Sequence, residues 1–228
     1  MELFFQPAKS IVPLFGLDDE NRKSIFLGTA TFVGSHPWLI TADHVAGSWN
    51  GRLAISPIIG TKFYPANIIA RDKDADLAVL DVIGYKPDNL PIVLAEGDEP
   101  PQSLMVVSFE YGTTRSRGDL IHLAPATRLG NITRKLDLSE KFGKAGEGIL
   151  ELSLPALRGA SGAPILLNGS FELWGIIIAN LDYHLLPTQI ESVLDEKNNL
   201  MEEIKYMLPQ GLAVNVKHVR ELIHLVEE

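Results

Sequence analysis

The amino-acid sequence predicts an all-β fold. Short runs of apolar or alternating residues recur along the chain, and glycine, proline, asparagine and aspartate separate them. Many short strands with turn signals between them are typical of a β-sandwich or a β-barrel. The amphipathic helices that βαβ units need are missing from about the first 180 residues. A chain of 228 residues with 46% apolar side chains is large enough to bury a core of this kind.

The candidate strands occupy most of the sequence between turn residues. They cover residues 27–33, 38–41, 53–56, 66–70, 77–82, 103–109, 120–123, 149–154, 163–167, 173–179 and 212–216. Residues 87–101 are rich in proline, aspartate and glycine, a composition typical of a link between two halves. We therefore expect one unit at residues 1–100 and a second at residues 101–228.

Helical patterns occur only late in the sequence. The tetrapeptide Thr188–Glu191 has the form of a capping box, and apolar residues follow it with a broken helical spacing. The last segment places apolar side chains on one helical face, namely Val219, Leu222, Ile223 and Val226. The sequence thus predicts a helical insertion at residues 181–208 and an amphipathic helix at the C-terminal end.

The composition excludes several classes of function. The formal net charge of −9, from 29 acidic and 20 basic side chains, disfavours a nucleic-acid partner. Because the sequence has no cysteine, it excludes thiol catalysis, cysteine-based zinc sites and disulfides. The histidines and carboxylates show no ligand spacing such as HExxH, so we expect no metal and no cofactor.

The sequence has no pattern that indicates secretion or a membrane. Its first residues show no basic region ahead of an apolar stretch and no small-residue cleavage site. No apolar run approaches the length needed to span a bilayer. We expect a cytoplasmic protein with no membrane partner.

Three segments carry residues suited to nucleophilic catalysis. The segment WLITADHV, at residues 38–45, is an apolar strand followed by His44. In DKDADLAVL, at residues 72–80, Asp76 opens an apolar strand after a polar turn. In RGASGAP, at residues 158–164, a turn bounded by glycines presents Ser161.

These residue types fit the roles of nucleophile, base and orienting acid. A serine hydroxyl attacks a carbonyl only when a base within hydrogen-bond reach takes its proton. Histidine suits that role because its pKa lies near neutrality, and a carboxylate on the far ring nitrogen fixes the tautomer. We therefore predict a triad of Ser161, His44 and Asp76. The amides of Gly159 and Ser161 are predicted to bind the developing oxyanion.

Other histidines and aspartates compete for these roles. We interpret the remaining histidines as turn, strand, insertion or solvated helix residues, namely His36, His122, His184, His218 and His224. Asp72 and Asp74 fit turn-capping, and Asp43 is expected to face away from the site.

The three segments together resemble the His, Asp and Ser motifs of the trypsin-like serine peptidases. TADHV at 41–45, DADLAVL at 74–80 and GASGAP at 159–164 are similar to T-x-x-H-V, D-L-A-V-L and G-N-S-G-G-P of the bacterial HtrA/DegP-type branch. The order His, Asp, Ser is that of the family. The resemblance implies a serine endopeptidase built from two six-stranded antiparallel β-barrels with a C-terminal helix. The N-terminal barrel would carry His44 and Asp76, and the C-terminal barrel would carry Ser161.

The sequence departs from the family pattern in three ways. Ala163 replaces the second glycine after the serine, a change we expect to need only a slight backbone adjustment. Ala160 stands where trypsin carries an aspartate, so we expect no activation through an ion pair with a freed N-terminus. No PDZ-like module follows the second predicted barrel in this sequence, so an HtrA-style cage is not implied.

The resemblance also places a specificity pocket. Its walls are expected near Pro155, Ala179, Asn180, Gly211 and Ala213. None of these residues is acidic, so a preference for lysine or arginine is not expected. We predict a small or medium apolar side chain in the substrate residue before the scissile bond. Peptide or protein substrates are the expected partners, together with a possible regulatory protein.

Two other functions stay open on the sequence. A trypsin-like fold can persist as a catalytically silent or latent binding module that a partner activates. The segment GASGA also resembles a degenerate nucleophile elbow of an α/β-hydrolase, which would make the protein an esterase. That fold needs alternating helices and strands before the serine, and the sequence does not show them.

Overall fold

Two closed β-barrels contain most of the strands in the computed structural model. The structure describes residues 7–18, 23–34, 36, 38–59, 62–87, 91–100, 105–115, 121–184, 190–195, 198–203 and 207–228. Within these residues, short helical turns lie at Pro7–Ser10, at Ser139–Phe142 (α2) and at Gly143–Gly146. No helix in these ranges has the length and apolar character needed to cross a bilayer.

The first barrel contains six antiparallel strands. They are β1 (Ile11–Asp18), β2 (Lys23–Val33), β3 (Trp38–Ala42), β4 (Arg52–Ile55), β5 (Tyr64–Asp72) and β6 (Leu77–Val82). The strand order is β1-β2-β3-β6-β5-β4, and pairing of β1 with β4 closes the barrel. A short helix, α1 (Asp43–Gly47), follows β3 directly.

The second barrel also contains six antiparallel strands. The strands of this half are β7 (Met105–Arg115), β8 (Ile121–Asp137), β9 (Glu147–Leu152), β10 (Pro164–Leu167), β11 (Leu173–His184), β12 (Ile190–Asp195), β13 (Asn198–Glu203) and β14 (Met207–Asn215). The barrel order is β10-β11-β14-β9-β8-β7, while β12 and β13 form a separate two-stranded sheet. The predicted all-β architecture of two six-stranded antiparallel barrels is therefore confirmed.

Two apolar clusters form the core: a large one in the first barrel that continues onto strands of the second, and a smaller one within the second barrel. The largest fully buried side chains lie on strands of both barrels: Leu14, Phe32, Leu39, Ile40, Ile55, Leu77 and Leu80 on the first, and Ile149, Leu150, Leu152, Ile165 and Leu166 on the second. Burying one such side chain stabilises a protein by about 1.5–3 kcal/mol. The interiors hold the strand ends that carry the candidate site residues in fixed positions.

The prediction of a helical insertion at residues 181–208 is wrong for the residues that the structure describes there. Strand β11 continues to His184 and pairs with β14, with Asp182 opposite Pro209. Beyond it, β12 and β13 pair with each other, with Val193 opposite Leu200. A short apolar run fits either period, and pairing with a partner strand decides the outcome here. The predicted capping residues Thr188 and Gln189 lie outside the described residues.

The C-terminal helix α3 (Val216–Glu227) is confirmed. Its first turn is capped because the Asn215 side chain accepts a hydrogen bond from the Lys217 amide at 2.9 Å. The buried face contains Val216, Val219, Leu222 and Ile223, and also His218, which is only 7% exposed. The expectation that His218 is solvated is therefore wrong.

The segment at residues 91–100 connects the two barrels. Ile92 pairs with Val33 of the first barrel, and Leu94 pairs with Leu173 of the second. Arg220 of α3 bonds to the Ala95 carbonyl and to the Asp98 carboxylate. The helix and this segment therefore fix the two barrels against each other.

Candidate active site

His44 lies where the first barrel opens, on the first turn after β3. Its backbone amide donates a hydrogen bond to Asp76 Oδ1 at 2.8 Å, and its ring Nδ1 lies 2.6 Å from Asp76 Oδ2. The carboxylate is an acceptor, so it requires the ring proton on Nδ1 and leaves Nε2 as the free base. The His44 side chain is 50% exposed and the Asp76 side chain only 18% exposed. The ring is thus held on one side and open to solvent on the other.

Asp76 is held by the turn that precedes β6. The Asp72 carboxylate accepts hydrogen bonds from the amides of Asp74, at 3.0 Å, and Ala75, at 2.9 Å. Asp76 itself has a φ of 54°, in the left-handed region that aspartate tolerates better than most residues. Its carbonyl accepts a hydrogen bond from the Asp43 amide at 2.9 Å. The turn residues therefore hold the Asp76 carboxylate in place. Asp72 caps this turn, as the sequence predicts.

The surroundings of His44 raise its pKa. The hydrogen bond to Asp76 is the main cause, burial of the ring opposes it, and the charges of Asp76 and Asp43 add to the increase. Asp43 is buried and faces away from the cleft, where its Oδ2 accepts a hydrogen bond from Arg71 Nη2 at 2.9 Å. That ion pair raises the pKa of Arg71 in turn. The imidazolium form of His44 is stabilised, as a general base requires once it has taken a proton.

The Ser161 turn of the second barrel is bound to strand β2 of the first. The Ser161 carbonyl accepts a hydrogen bond from the Thr29 amide at 3.0 Å, and the Gly159 carbonyl accepts one from Thr29 Oγ1 at 2.7 Å. Thr29 Oγ1 also accepts the Tyr111 amide at 3.0 Å. One buried threonine therefore joins the serine turn, strand β7 and the barrel that carries His44.

Two glycines of this turn have no space for a side chain. Gly162 has a φ of +88°, and a Cβ there would overlap the Thr29 carbonyl and Thr41 Oγ1. Gly159 has a φ of +100°, and a Cβ there would lie 2.7 Å from a ring carbon of Phe26. Glycine is needed at both positions for conformation and for space.

The backbone of the turn leaves two amides available. The amides of Ala160, Gly162 and Ala163 donate to backbone carbonyls at 2.8–2.9 Å. Within the described part of the chain, the Gly159 and Ser161 amides have no acceptor. Two unpaired amides beside a serine match the arrangement that binds an oxyanion.

A cavity of about 350 Å³ brings residues of both barrels together. His44 and Ser161 both line it, and the other lining residues are Leu27, Val45, Ser48, Ala156, Leu157, Arg158, Gly159, Ala179 and Asn180. The described atoms show no hydrogen bond between the Ser161 hydroxyl and the His44 ring. Such contacts are often long before substrate binds. The cavity therefore joins the predicted nucleophile, base and oxyanion amides in one cleft.

The predicted specificity pocket coincides with this cavity only in part. Ala179 and Asn180 line it, whereas the structure does not bring Pro155, Gly211 or Ala213 to it. Ala213 is fully buried inside the second barrel, and the Gly211 amide donates to the Leu154 carbonyl at 2.8 Å. Ala213 therefore contacts the barrel interior and Gly211 contacts Leu154, and neither residue lines this cavity.

The far wall of the cavity consists of residues to which the sequence assigned no role in the site. Ala156, Leu157 and Arg158 precede the oxyanion glycine. The Asn180 side chain holds this segment, because its Nδ2 donates to the Ala156 carbonyl and its Oδ1 accepts the Ala156 amide, both at 2.7 Å. Their position directly before the serine turn is the signal in the sequence that points to this wall.

Comparison with known proteins identifies the family. The sequence model described as "Trypsin-like peptidase domain" matches residues 28–176, a span that contains His44, Asp76 and Ser161. The chain belongs to this family. Among solved structures, this peptidase domain is similar to "HtrA-type protease AlgW with decapeptide", with a TM-score of 0.64 and 15% sequence identity. The match covers 98% of this chain and 66% of that one, so the peptidase domain spans slightly less than two thirds of the AlgW chain. No curated protein sequence matches the chain.

Proposed function

We propose that the protein is a serine endopeptidase with Ser161 as nucleophile, His44 as general base and Asp76 as the orienting acid. One observation carries the proposal: the Nδ1 bond to Asp76 leaves His44 Nε2 free at a cleft that Ser161 and two unpaired amides also line. The trypsin-like family and the HtrA-like fold support the same activity. An esterase built on an α/β-hydrolase elbow is not compatible with the all-β double barrel.

Acylation follows from these positions. Ser161 Oγ attacks the peptide carbonyl carbon while His44 Nε2 takes the hydroxyl proton, and the carbonyl electrons move onto the oxygen. The Gly159 and Ser161 amides stabilise that oxyanion, and each such donor is worth about 10²–10³ in kcat in comparable enzymes. The intermediate then collapses, the C–N bond breaks, and Nε2 returns the proton to the leaving amine.

Deacylation repeats the sequence with water as nucleophile. Water loses a proton to His44 Nε2 as it attacks the acyl carbon, and the C–O bond to Ser161 breaks with return of that proton to Oγ. Asp76 stays ionised throughout and stabilises the imidazolium in both half-reactions. Every step uses side chains and amides of this chain, and we propose that no cofactor takes part.

Strand β11 offers a binding edge for an extended peptide. Ile177 pairs with Ala163 and Gly162 on the side of the serine turn. From Ile178 onward, that side of β11 has no strand partner within the described residues, whereas the opposite side continues to pair with β14. A substrate strand added there would pass Ala179 and Asn180, which line the cleft. We propose a peptide or protein substrate, and a cytoplasmic location without nucleic-acid or membrane partners.

A latent form of the enzyme is the second candidate. It is favoured by the absence, within the described residues, of a hydrogen bond between Ser161 and His44. In that case a regulatory protein would bring the two side chains into contact. The candidate differs from the first in requiring a partner before any turnover.

Hydrolysis of a protein substrate tests the proposed function. We expect the purified protein to cleave fluorescently labelled casein or an unfolded protein, and Ser161→Ala and His44→Ala to be inactive. Ser170→Ala is the matched control, because Ser170 lies in the turn between β10 and β11 and bonds to Glu172, outside the cleft. Equal cleavage by wild type and Ser161→Ala would refute the proposal. Cleavage only after addition of a cell extract would favour the latent form.

A further inference from the structure

Among the described residues that line the cleft, Arg158 alone carries a permanent charge. No carboxylate is among the described residues that line the cavity. Arg158 is exposed and forms no ion pair with any described carboxylate. Other arginines do pair: Arg71 with Asp43, Arg128 with Glu110, Arg134 with Glu151, and Arg220 with Asp98. In a chain with a net charge of −9, an unpaired arginine at the cleft needs a separate explanation.

The backbone holds Arg158 next to the reacting atoms. It directly precedes Gly159, whose amide is one of the two proposed oxyanion donors. The Ala160 amide donates to the Leu157 carbonyl at 2.9 Å and closes the turn around Arg158. The Arg158 side chain therefore starts on the residue next to the proposed Gly159 oxyanion donor, in the lining of the same cavity. A peptide whose scissile carbonyl is held by that donor would place the residues that flank the scissile bond near Arg158.

Apart from the proposed nucleophile Ser161, the other described polar side chains on the cleft wall already have partners. Asn180 bonds to both the amide and the carbonyl of Ala156, and the Ser48 hydroxyl donates to the Val45 carbonyl at 2.8 Å. The carboxylates nearest the cleft are also engaged, Asp76 by His44 and Asp43 by Arg71. A negatively charged substrate group would therefore meet an available guanidinium without a competing internal carboxylate.

We infer that Arg158 selects acidic substrates, by binding the carboxylate of a glutamate or aspartate that flanks the scissile bond. The inference rests on the proposed function and names its substrate class. A guanidinium presents a planar fork of donors that matches a carboxylate with two parallel hydrogen bonds. The apolar wall of Ala156, Leu157 and Ala179 still accepts a neighbouring apolar side chain. The substrate would then combine the apolar residue predicted from the sequence with an acidic residue next to it.

The test compares peptides that differ only in charge. Internally quenched peptides carry either glutamate or its isostere glutamine at one position at a time. The positions varied are the residue directly before and the residue directly after the cleaved bond. We expect kcat/KM for the wild type to be at least about tenfold higher with glutamate at one of these positions, because charge-assisted hydrogen bonds exceed neutral ones. Arg158→Gln should cleave both peptides at the slower rate, and Arg158→Lys should keep part of the preference. Lys86→Gln, an exposed lysine outside the cleft, is the control and should keep all of it.

Binding supplies a readout that is independent of turnover. Ser161→Ala removes the proposed nucleophile, and fluorescence anisotropy then measures the affinity of each labelled peptide with and without Arg158→Gln. Tighter binding of the glutamate peptide that disappears with Arg158→Gln supports the inference even if hydrolysis is not observed. Equal affinities and equal rates for the two peptides, or a preference that survives Arg158→Gln, overturn it. Absence of hydrolysis of any peptide by the wild type would instead count against the proposed function.

Discussion

Asp76 contacts His44 at two points: its Oδ1 accepts the His44 backbone amide at 2.8 Å, and its Oδ2 lies 2.6 Å from the ring Nδ1. The bond to the backbone amide fixes the position of His44 after β3. The bond to the ring fixes the tautomer and the plane of the imidazole. One carboxylate thus sets both where the base lies and which nitrogen is free to act.

Replacement of Asp76 by asparagine should lower activity and move its pH dependence. The amide cannot hold the same tautomer, and comparable changes lower kcat about 10⁴-fold. Because the hydrogen bond to Asp76 raises the pKa of His44, its loss should lower that pKa. The free base acts only above its pKa, so the acid limb of kcat/KM should shift to lower pH. Rate profiles and histidine NMR titration measure both effects.

Asp81→Asn is the matched control for Asp76→Asn. Asp81 is an exposed aspartate on the same strand, β6, and its replacement should change neither rate nor profile. If Asp76→Asn showed the same pH dependence of kcat/KM as the wild type, the assigned role of Asp76 would be wrong.

Replacement of Arg71 by glutamine should destabilise the first barrel. Asp43 is only 7% exposed, and the change leaves its carboxylate without its ion-pair partner. Loss of one partner of such a pair costs about 1–3 kcal/mol. The double variant Asp43→Asn/Arg71→Gln should regain most of that loss, because no charge is then left buried. Urea unfolding of the three proteins gives the values, and equal stability of wild type and Arg71→Gln would disagree with the structure.

Gly162→Ala should disrupt the serine turn. The added methyl group would overlap the Thr29 carbonyl and Thr41 Oγ1, and the backbone φ is +88°. Gly84→Ala is the comparison variant, because Gly84 has a φ of +73° with open space around it. Both variants incur backbone strain of about 1–3 kcal/mol, and only Gly162→Ala adds the overlap. Thermal unfolding should show the larger loss for Gly162→Ala, together with loss of activity, and the reverse order would contradict the described packing.

Thr29→Val should weaken the connection between the barrels without changing side-chain shape. It removes the bond from Thr29 Oγ1 to the Gly159 carbonyl and the acceptor of the Tyr111 amide. We expect kcat to fall by about tenfold or more, because the oxyanion amides are less well positioned. Thr29→Ser keeps the hydroxyl and should retain most of the activity. Steady-state kinetics of Thr29→Val and Thr29→Ser distinguishes the effect of losing the hydroxyl from that of losing the methyl group. Equal kcat for the two variants would exclude a role for the Thr29 hydrogen bonds.

Local patterns in the sequence predicted the short strands and the glycine turn on which the candidate site residues lie. His44, Asp76 and Ser161 each lie at the edge of a short apolar strand or in a glycine turn, and these signals are local. Burial on the inside of a barrel then fixes the register of such strands. The C-terminal helix was also predictable, because its apolar face repeats with helical spacing.

The parts that were missed depend on strand pairing and side-chain contacts that the apolar pattern of the sequence does not reveal. Strand β1 contains Pro13 and Gly16, which weaken its strand pattern, yet pairing with β2 and β4 forms it. The hairpin of β12 and β13 has apolar spacing that also fits a helix, and only the pairing of its two strands decides. The cleft wall at residues 156–158 was missed because Asn180, 24 residues away, holds it in place.

Covalent labelling tests the central claim most directly. The purified protein is treated with a fluorophosphonate probe and its intact mass is measured beside Ser161→Ala, His44→Ala and the control Ser170→Ala. We predict one adduct on the wild type and on Ser170→Ala, and none on the other two, because among the described serines only Ser161 shares a cleft with a free histidine nitrogen and two unpaired amides. An adduct that persists in Ser161→Ala, or a wild type that stays unlabelled, would contradict the claim that this cleft contains an activated serine.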